Sequence, residues 1–174
     1  HPQIHGQENL KISCIALPVF DESDLAAANR ALAAAEPCFL GQSWRAAPQA
    51  AFRPASVRLG WRVNSLLVLA ELSDDDIYSD ATRDNQRMWE LGDCFEMFLM
   101  AEGASSYIEL HVTPDNHRLQ MRLPIPRPID RPPEQMMVAR KMFDSRVWID
   151  RQWHVLASIP FESVGGKPER FSFS

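Results

Sequence analysis

The stretch Trp89-Glu-Leu-Gly-Asp93-Cys-Phe-Glu96-Met-Phe-Leu-Met100 puts three carboxylates and a tryptophan at the mouth of an apolar strand. A carboxylate buried without a partner costs several kcal/mol, so Glu96 needs a cation, a hydrogen-bond donor or a ligand. An arginine such as Arg58 or Arg122 would satisfy it structurally. Trp89 stands before the strand, across a glycine, on a loop, and offers a flat apolar face. An aromatic platform beside planar polar groups is the arrangement that sugar recognition uses. The ring stacks on the C–H face of a pyranose, and the polar groups bond its hydroxyls. Asp93 and Glu96 are also the residue types of a glycosidase acid/base pair. Three residues apart in an extended strand, they are expected to point to opposite faces and not to act on one bond.

Other chemistries leave fainter traces. Asp74-Asp75-Asp76, followed by Asp80, is an acidic loop whose oxygens suit calcium, though it lacks the glycine and glutamate spacing of an EF-hand. Its plainer reading is a solvated turn after a strand. His111 and His117 flank another turn without a third ligand at a telling spacing. No glycine-rich phosphate loop, nucleophile elbow or paired-histidine zinc motif occurs, and there are only seven glycines from which to build a nucleotide cradle. The chain is therefore expected not to be an enzyme. Cys94 falls in a predicted core strand, where a thiol behaves as a small hydrophobe. Cys14 and Cys38 could pair in an exported protein, and their spacing does not decide it.

The elements that position these residues follow from patterning. With 174 residues the chain is long enough for one domain, 1–174, with a substantial core. The net charge of −5 speaks against a nucleic-acid or anionic-membrane surface. No apolar run approaches the roughly 18 residues of a membrane span. The chain opens on His1, not Met, and is expected to begin after a processing or cloning junction. Residues 11–17 predict a strand, and Ser23 predicts the cap of a short alanine-rich helix over 24–35. Period-2 alternation then predicts strands at 57–63, 66–72, 93–100, 106–113, 117–123, 137–143, 147–149 and 153–159. The run from Cys94 to Met100 reads as buried on both faces. Within 106–113, Ile108, Leu110 and Val112 face the core while Tyr107, Glu109 and His111 share the other face. Five prolines between Pro124 and Pro133 predict a long surface loop. Short strands joined by hairpin-length turns describe an all-β fold, an antiparallel β-sandwich of immunoglobulin-like architecture with a short N-terminal helix.

Four segments in order resemble the family 9 carbohydrate-binding modules, members of the DOMON-like β-sandwiches. Val57-Arg-Leu-Gly-Trp61-Arg-Val-Asn-Ser-Leu-Leu-Val-Leu-Ala70-Glu-Leu-Ser-Asp74 is similar to that family's V-R-x-x-W hairpin. Trp89-Glu-x-x-Asp93-x-x-Glu96-x-Phe98-Leu99 resembles its W-x-x-D-x-V-E signature strand. Tyr107 to Asn116 resembles the following strand and turn, and Trp153 to Phe161 the closing W-x-x-E-x-x-I-P-F element. The covered core is 57–161. The resemblance implies a non-catalytic sugar-binding module, extracytoplasmic and attached to a glycan-active enzyme domain. It places the stacking tryptophan on Trp89 and the hydroxyl acceptor on Glu96. His111 stands where the family has an arginine, and Tyr107 shares its strand. The family's second tryptophan has no counterpart near Phe171-Ser-Phe-Ser, so the closing strands are expected to be incomplete. Calcium occurs in the family, and Asp74, Asp75 and Asp76 are the residues compatible with it. Relatives of the same sandwich hold b-type haem through methionine and histidine, for which Met88, Met97, Met121 and His111 supply the atom types. A structural domain without ligand is the remaining alternative.

Overall fold

The computed structural model describes residues 12–42, 45–167 and 171–173. Its elements run β1 (Ile15–Ala16), α1 (Leu25–Leu32), β2 (Cys38–Leu40), β3 (Ala55–Trp61), β4 (Ser65–Leu72), β5 (Phe95–Ala101), β6 (Ser106–Val112), β7 (Arg118–Pro124), β8 (Asp144–Ile149), β9 (Trp153–Pro160) and β10 (Phe171–Phe173). One sheet has the order β1-β3-β4-β9-β8, with β2 also on β3. The other has the order β10-β5-β6-β7. Every pairing is antiparallel except the short one between β1 and β3. The expected all-β sandwich is the observed fold.

Between the sheets lies the main core. Val57, Leu59, Leu66, Val68, Ala70, Trp153, Val155, Ala157 and Ile159 come from the first sheet, and Phe95, Met97, Leu99, Ile108, Leu110 and Val112 from the second. Alternation alone would leave the outer faces wet, but both carry a further apolar layer. On the first sheet, Leu67, Leu69 and Leu156 are covered by Ala28 and Leu32 of α1. This is why β4 reads as an unbroken apolar run: it is shielded on both sides. On the second sheet, Leu119, Met121 and Leu123 of β7 point outward and pack with Ala81, Met88 and Met136.

The inward row of β7 is consequently polar. Arg118, Gln120 and Arg122 lie opposite Val112, Leu110 and Ile108. Because β7 is an edge strand, the chain beyond it satisfies these groups. Gln120 donates to the carbonyls of Val138 (2.8 Å) and Arg140 (2.7 Å) and accepts from the Met142 N–H at 2.8 Å. Arg122 donates to the Ser163 carbonyl. The strand expected at 137–143 is therefore not formed. One bridge, Met121 to Met137, starts it, and side-chain bonding from Gln120 replaces the ladder. The proline-rich segment is a surface loop leading into the 3-10 turn Pro133–Met136, which returns onto β7 through Met136.

Other expectations shift in detail. The cap of α1 is Asp24, not Ser23: its carboxylate accepts the Ala26 N–H at 2.9 Å, while Ser23 bonds Asp21. Of the strand expected at 11–17, residue 11 lies outside the described residues, and the rest forms only the two-residue β1. The 94–100 run is not buried on both faces. Phe95, Met97 and Leu99 are buried, whereas Cys94, Glu96, Phe98 and Met100 lie on a half-open outer face. Cys14, Cys38 and Cys94 are free thiols, so no Cys14–Cys38 bridge forms. Trp44 lies outside the described residues.

Candidate functional site

Trp89 is held by its neighbours rather than by its own ring. It is the middle residue of the 3-10 turn Met88–Glu90, and Met88 anchors that turn by burying itself completely in the outer apolar layer. Arg87, at the start of the turn, donates to both carboxylate oxygens of Glu134 (2.6 and 3.2 Å) and to Glu90 at 3.2 Å. These contacts tie the turn to the one after the proline loop. On its other side, Ser79 bridges Gly92 in antiparallel register, with the Asp80 N–H donating to the Leu91 carbonyl and the Asp93 N–H to that of Tyr78. Gly92 has φ +128°, and a Cβ there would lie 2.7 Å from the Tyr78 carbonyl oxygen. Only glycine fits this close approach in that backbone conformation. The result is a tryptophan 39% exposed, fixed above the outer face of the second sheet.

Beneath it lies His111 of β6, 1% exposed, its ring edge-on to the indole with centroids 5.7 Å apart and planes at 69°. Glu96 of β5 is the direct cross-strand partner of His111. Its Oε1 lies 3.6 Å from His111 Nδ1, and the Cys94 thiol donates to the same oxygen at 3.4 Å. On the other side of the ring, Glu109 Oε1 stands 3.5 Å from His111 Nε2. Neither ring nitrogen has a hydrogen-bond partner within the protein, and Glu109 Oε2 is also buried without one. Two carboxylates thus flank a buried imidazole under a half-exposed indole. Burial, and then the adjoining Glu96 carboxylate, push the Cys94 thiol well above its ordinary value.

The expected site residues separate into two groups. Trp89, Glu96 and His111 converge. Tyr107 shares their face but stands four residues along β6 from His111, about 13 Å away at ~3.4 Å per residue, and packs against the outer apolar layer. Glu96 does not pair with either arginine considered for it. Arg58 donates to the Ala35 carbonyl on the other sheet, and Arg122 is used at Ser163. Asp93 precedes β5 and accepts from the Tyr78 N–H at 2.9 Å, so it does not work beside Glu96. Burial, reinforced by the charges of Asp74 and Asp76, holds the Asp93 carboxyl above its usual value against that hydrogen bond. In the acidic loop, Asp74 accepts the Asp76 N–H and Asp75 is engaged by Arg53. Those contacts shape the turn and tie it to Arg53. Met97 faces the inner core, on the opposite side of the sheet from His111, while Met88 and Met121 are packing residues of the outer layer.

Glu109 and Cys94 were not among the expected site residues. Strand alternation already put Glu109 on the face of His111, so the signal for it was present. The position of Cys94 was obscured because the strand begins one residue later than its apolar run, at Phe95.

No protein-family model and no curated protein matches the sequence. Solved structures do match the fold. A candidate carbohydrate-binding protein from Bacteroides uniformis superposes with a TM-score of 0.66 at 14% identity, over 87% of this chain and 73% of that one. A family 9 carbohydrate-binding module from Caldicellulosiruptor kristjanssonii, in complex with glucose, gives 0.54 at 19% identity, over 92% and 73%. The same type of module from that organism, in complex with cellotriose, gives 0.55 at 20% identity, over 92% and 71%. At these identities the likeness is one of fold: the chain has the β-sandwich of a family 9 carbohydrate-binding module.

Proposed function

We propose that the outer face of the β10-β5-β6-β7 sheet binds a carbohydrate without transforming it. The observation that carries this reading is Trp89, a rigidly mounted and half-exposed indole set over a histidine that the carboxylates of Glu96 and Glu109 flank. The indole offers a face to the C–H groups of a pyranose, and Glu96, partly exposed, accepts from ring hydroxyls. His111, expected as a further polar contact, is buried beneath the indole and supports the platform from below. The fold likeness to modules in complex with glucose and with cellotriose supports a mono- or oligosaccharide as the ligand. On this reading the chain is an extracytoplasmic module that keeps an attached glycan-active enzyme near its polymer. No helix among the described residues is long and apolar enough to cross a membrane.

The test is titration calorimetry with glucose, cellobiose, cellotriose and a panel of other glycans. Micromolar binding, about −8 kcal/mol, is the expected scale for the best ligand. Trp89→Ala is expected to weaken it at least about tenfold, ~1.4 kcal/mol. A panel without any binder, or a mutant that binds as the parent does, would falsify the assignment.

A further inference from the structure

The histidine beneath Trp89 is placed oddly for a sugar contact. It is almost fully buried, both of its nitrogens lack hydrogen-bond partners, and each faces a carboxylate. A buried imidazole in that state is incomplete unless something sits between it and its neighbours. On the Nδ1 side the space is bounded by three ligand-type atoms, Cys94 Sγ, Glu96 Oε1 and His111 Nδ1, all within 4.8 Å of one another.

We propose that Cys94, Glu96 and His111 form a binding site for a divalent transition-metal ion, zinc in the first instance. Zinc takes sulfur, nitrogen and carboxylate oxygen at about 2.0–2.3 Å in tetrahedral geometry, which sets its ligands ~3.3–3.7 Å apart. The Sγ–Oε1 separation of 3.4 Å and the Oε1–Nδ1 separation of 3.6 Å match two edges of such a tetrahedron. The mixed donor set selects against calcium and magnesium, which prefer oxygen ligands throughout. Glu109 completes the logic. A metal-bound histidine ordinarily donates its other ring N–H to a carboxylate, which fixes its tautomer and orientation. Glu109 Oε1 stands buried 3.5 Å from Nε2, on the side where such an acceptor belongs, and a small shift of the carboxylate would close the hydrogen bond that is not formed as the groups stand. Three protein ligands leave the fourth position for water or a ligand hydroxyl. The proposal does not depend on the carbohydrate reading, although the two share Glu96 and His111.

The test uses the full chain, reduced and stripped of metal. Titration with zinc chloride is expected to give one tight site at micromolar protein, and cobalt substitution a thiolate-to-metal charge-transfer band with tetrahedral visible bands. Cys94→Ala removes the charge-transfer band, while the double variant Cys14→Ala, Cys38→Ala keeps it. Glu109→Gln, which keeps all three ligands, weakens zinc binding about 10- to 100-fold. Circular dichroism of each variant separates lost binding from lost folding. The proposal is overturned by wild-type protein that takes up no stoichiometric zinc, or by a cobalt band that survives Cys94→Ala. Trp89→Ala distinguishes the two readings, because it removes the sugar platform and leaves all three ligand side chains in place, although it takes away the ring packed edge-on against His111. Zinc uptake that persists in that variant, without sugar binding in any variant, would sink the carbohydrate reading alone.

Discussion

Glu96 shows how far a single residue can be argued from its sequence. An acidic side chain inside an apolar run has to be explained by a partner, and the two candidate arginines were reasonable choices on charge alone. The register of β5 with β6 decides otherwise: its cross-strand neighbour is His111, and the arginines are spent on backbone carbonyls elsewhere. Pairing across strands is long-range information that periodicity does not carry. The face on which His111 stands was legible, because alternation depends only on local geometry, whereas that of Glu96 was not, because its run reads as apolar at nearly all its other positions. Glu96→Gln keeps the shape and removes the charge. For the proposed sugar site, this exchanges charge-assisted hydrogen bonds for neutral ones and is expected to cost about 1–2 kcal/mol of binding, against ~1.5–3 for a hydrogen bond to a charged group. Calorimetry with the best ligand reads the difference, and an unchanged affinity would mean that hydroxyls are not bonded at this oxygen.

At the scale of elements, the segment from Tyr78 to Asp93 is what makes a site out of a strand. Its bridge at Ser79 and Gly92, the buried Met88 and the Arg87–Glu134 ion pair turn a loop into a rigid mount for Trp89. Gly92 is the tightest point of that mount. Gly92→Ala forces a Cβ against the Tyr78 carbonyl in a strained backbone conformation, with an expected loss of about 1–3 kcal/mol in stability. Urea denaturation measures it, and a midpoint equal to that of the parent would show that the segment yields without cost. Strands with clean alternation, such as β6 and β9, were readable almost to the residue. The segment 137–143 was not, because its apolar residues belong to a chain held by the side chain of Gln120 instead of a ladder. The two-residue β1 and the three-residue β2 are too short to show a period at all.

For the whole molecule, the sandwich class follows from the count and spacing of short strands, and the solved folds agree with it. What patterning understated is the number of apolar layers. A sandwich needs one, and the described residues build three, with α1 outside the first sheet and the Met88–Met136 cluster outside the second. The hint was in the composition of β4, apolar at consecutive positions where a half-wet strand would alternate. Leu66 to Ala70 are all buried, and β4 sits between β3 and β9 in the middle of its sheet. No local fluctuation can bring water to those amides without parting two layers and two neighbouring strands at once. In native-state hydrogen exchange, residues 66–70 should therefore trade their protons only through global opening, with the full unfolding free energy as their barrier. The short edge pairings of β1 and β2 should exchange through local fraying far sooner. Equal protection along both would mean that the stacked layers do not hold the sheet as one cooperative unit.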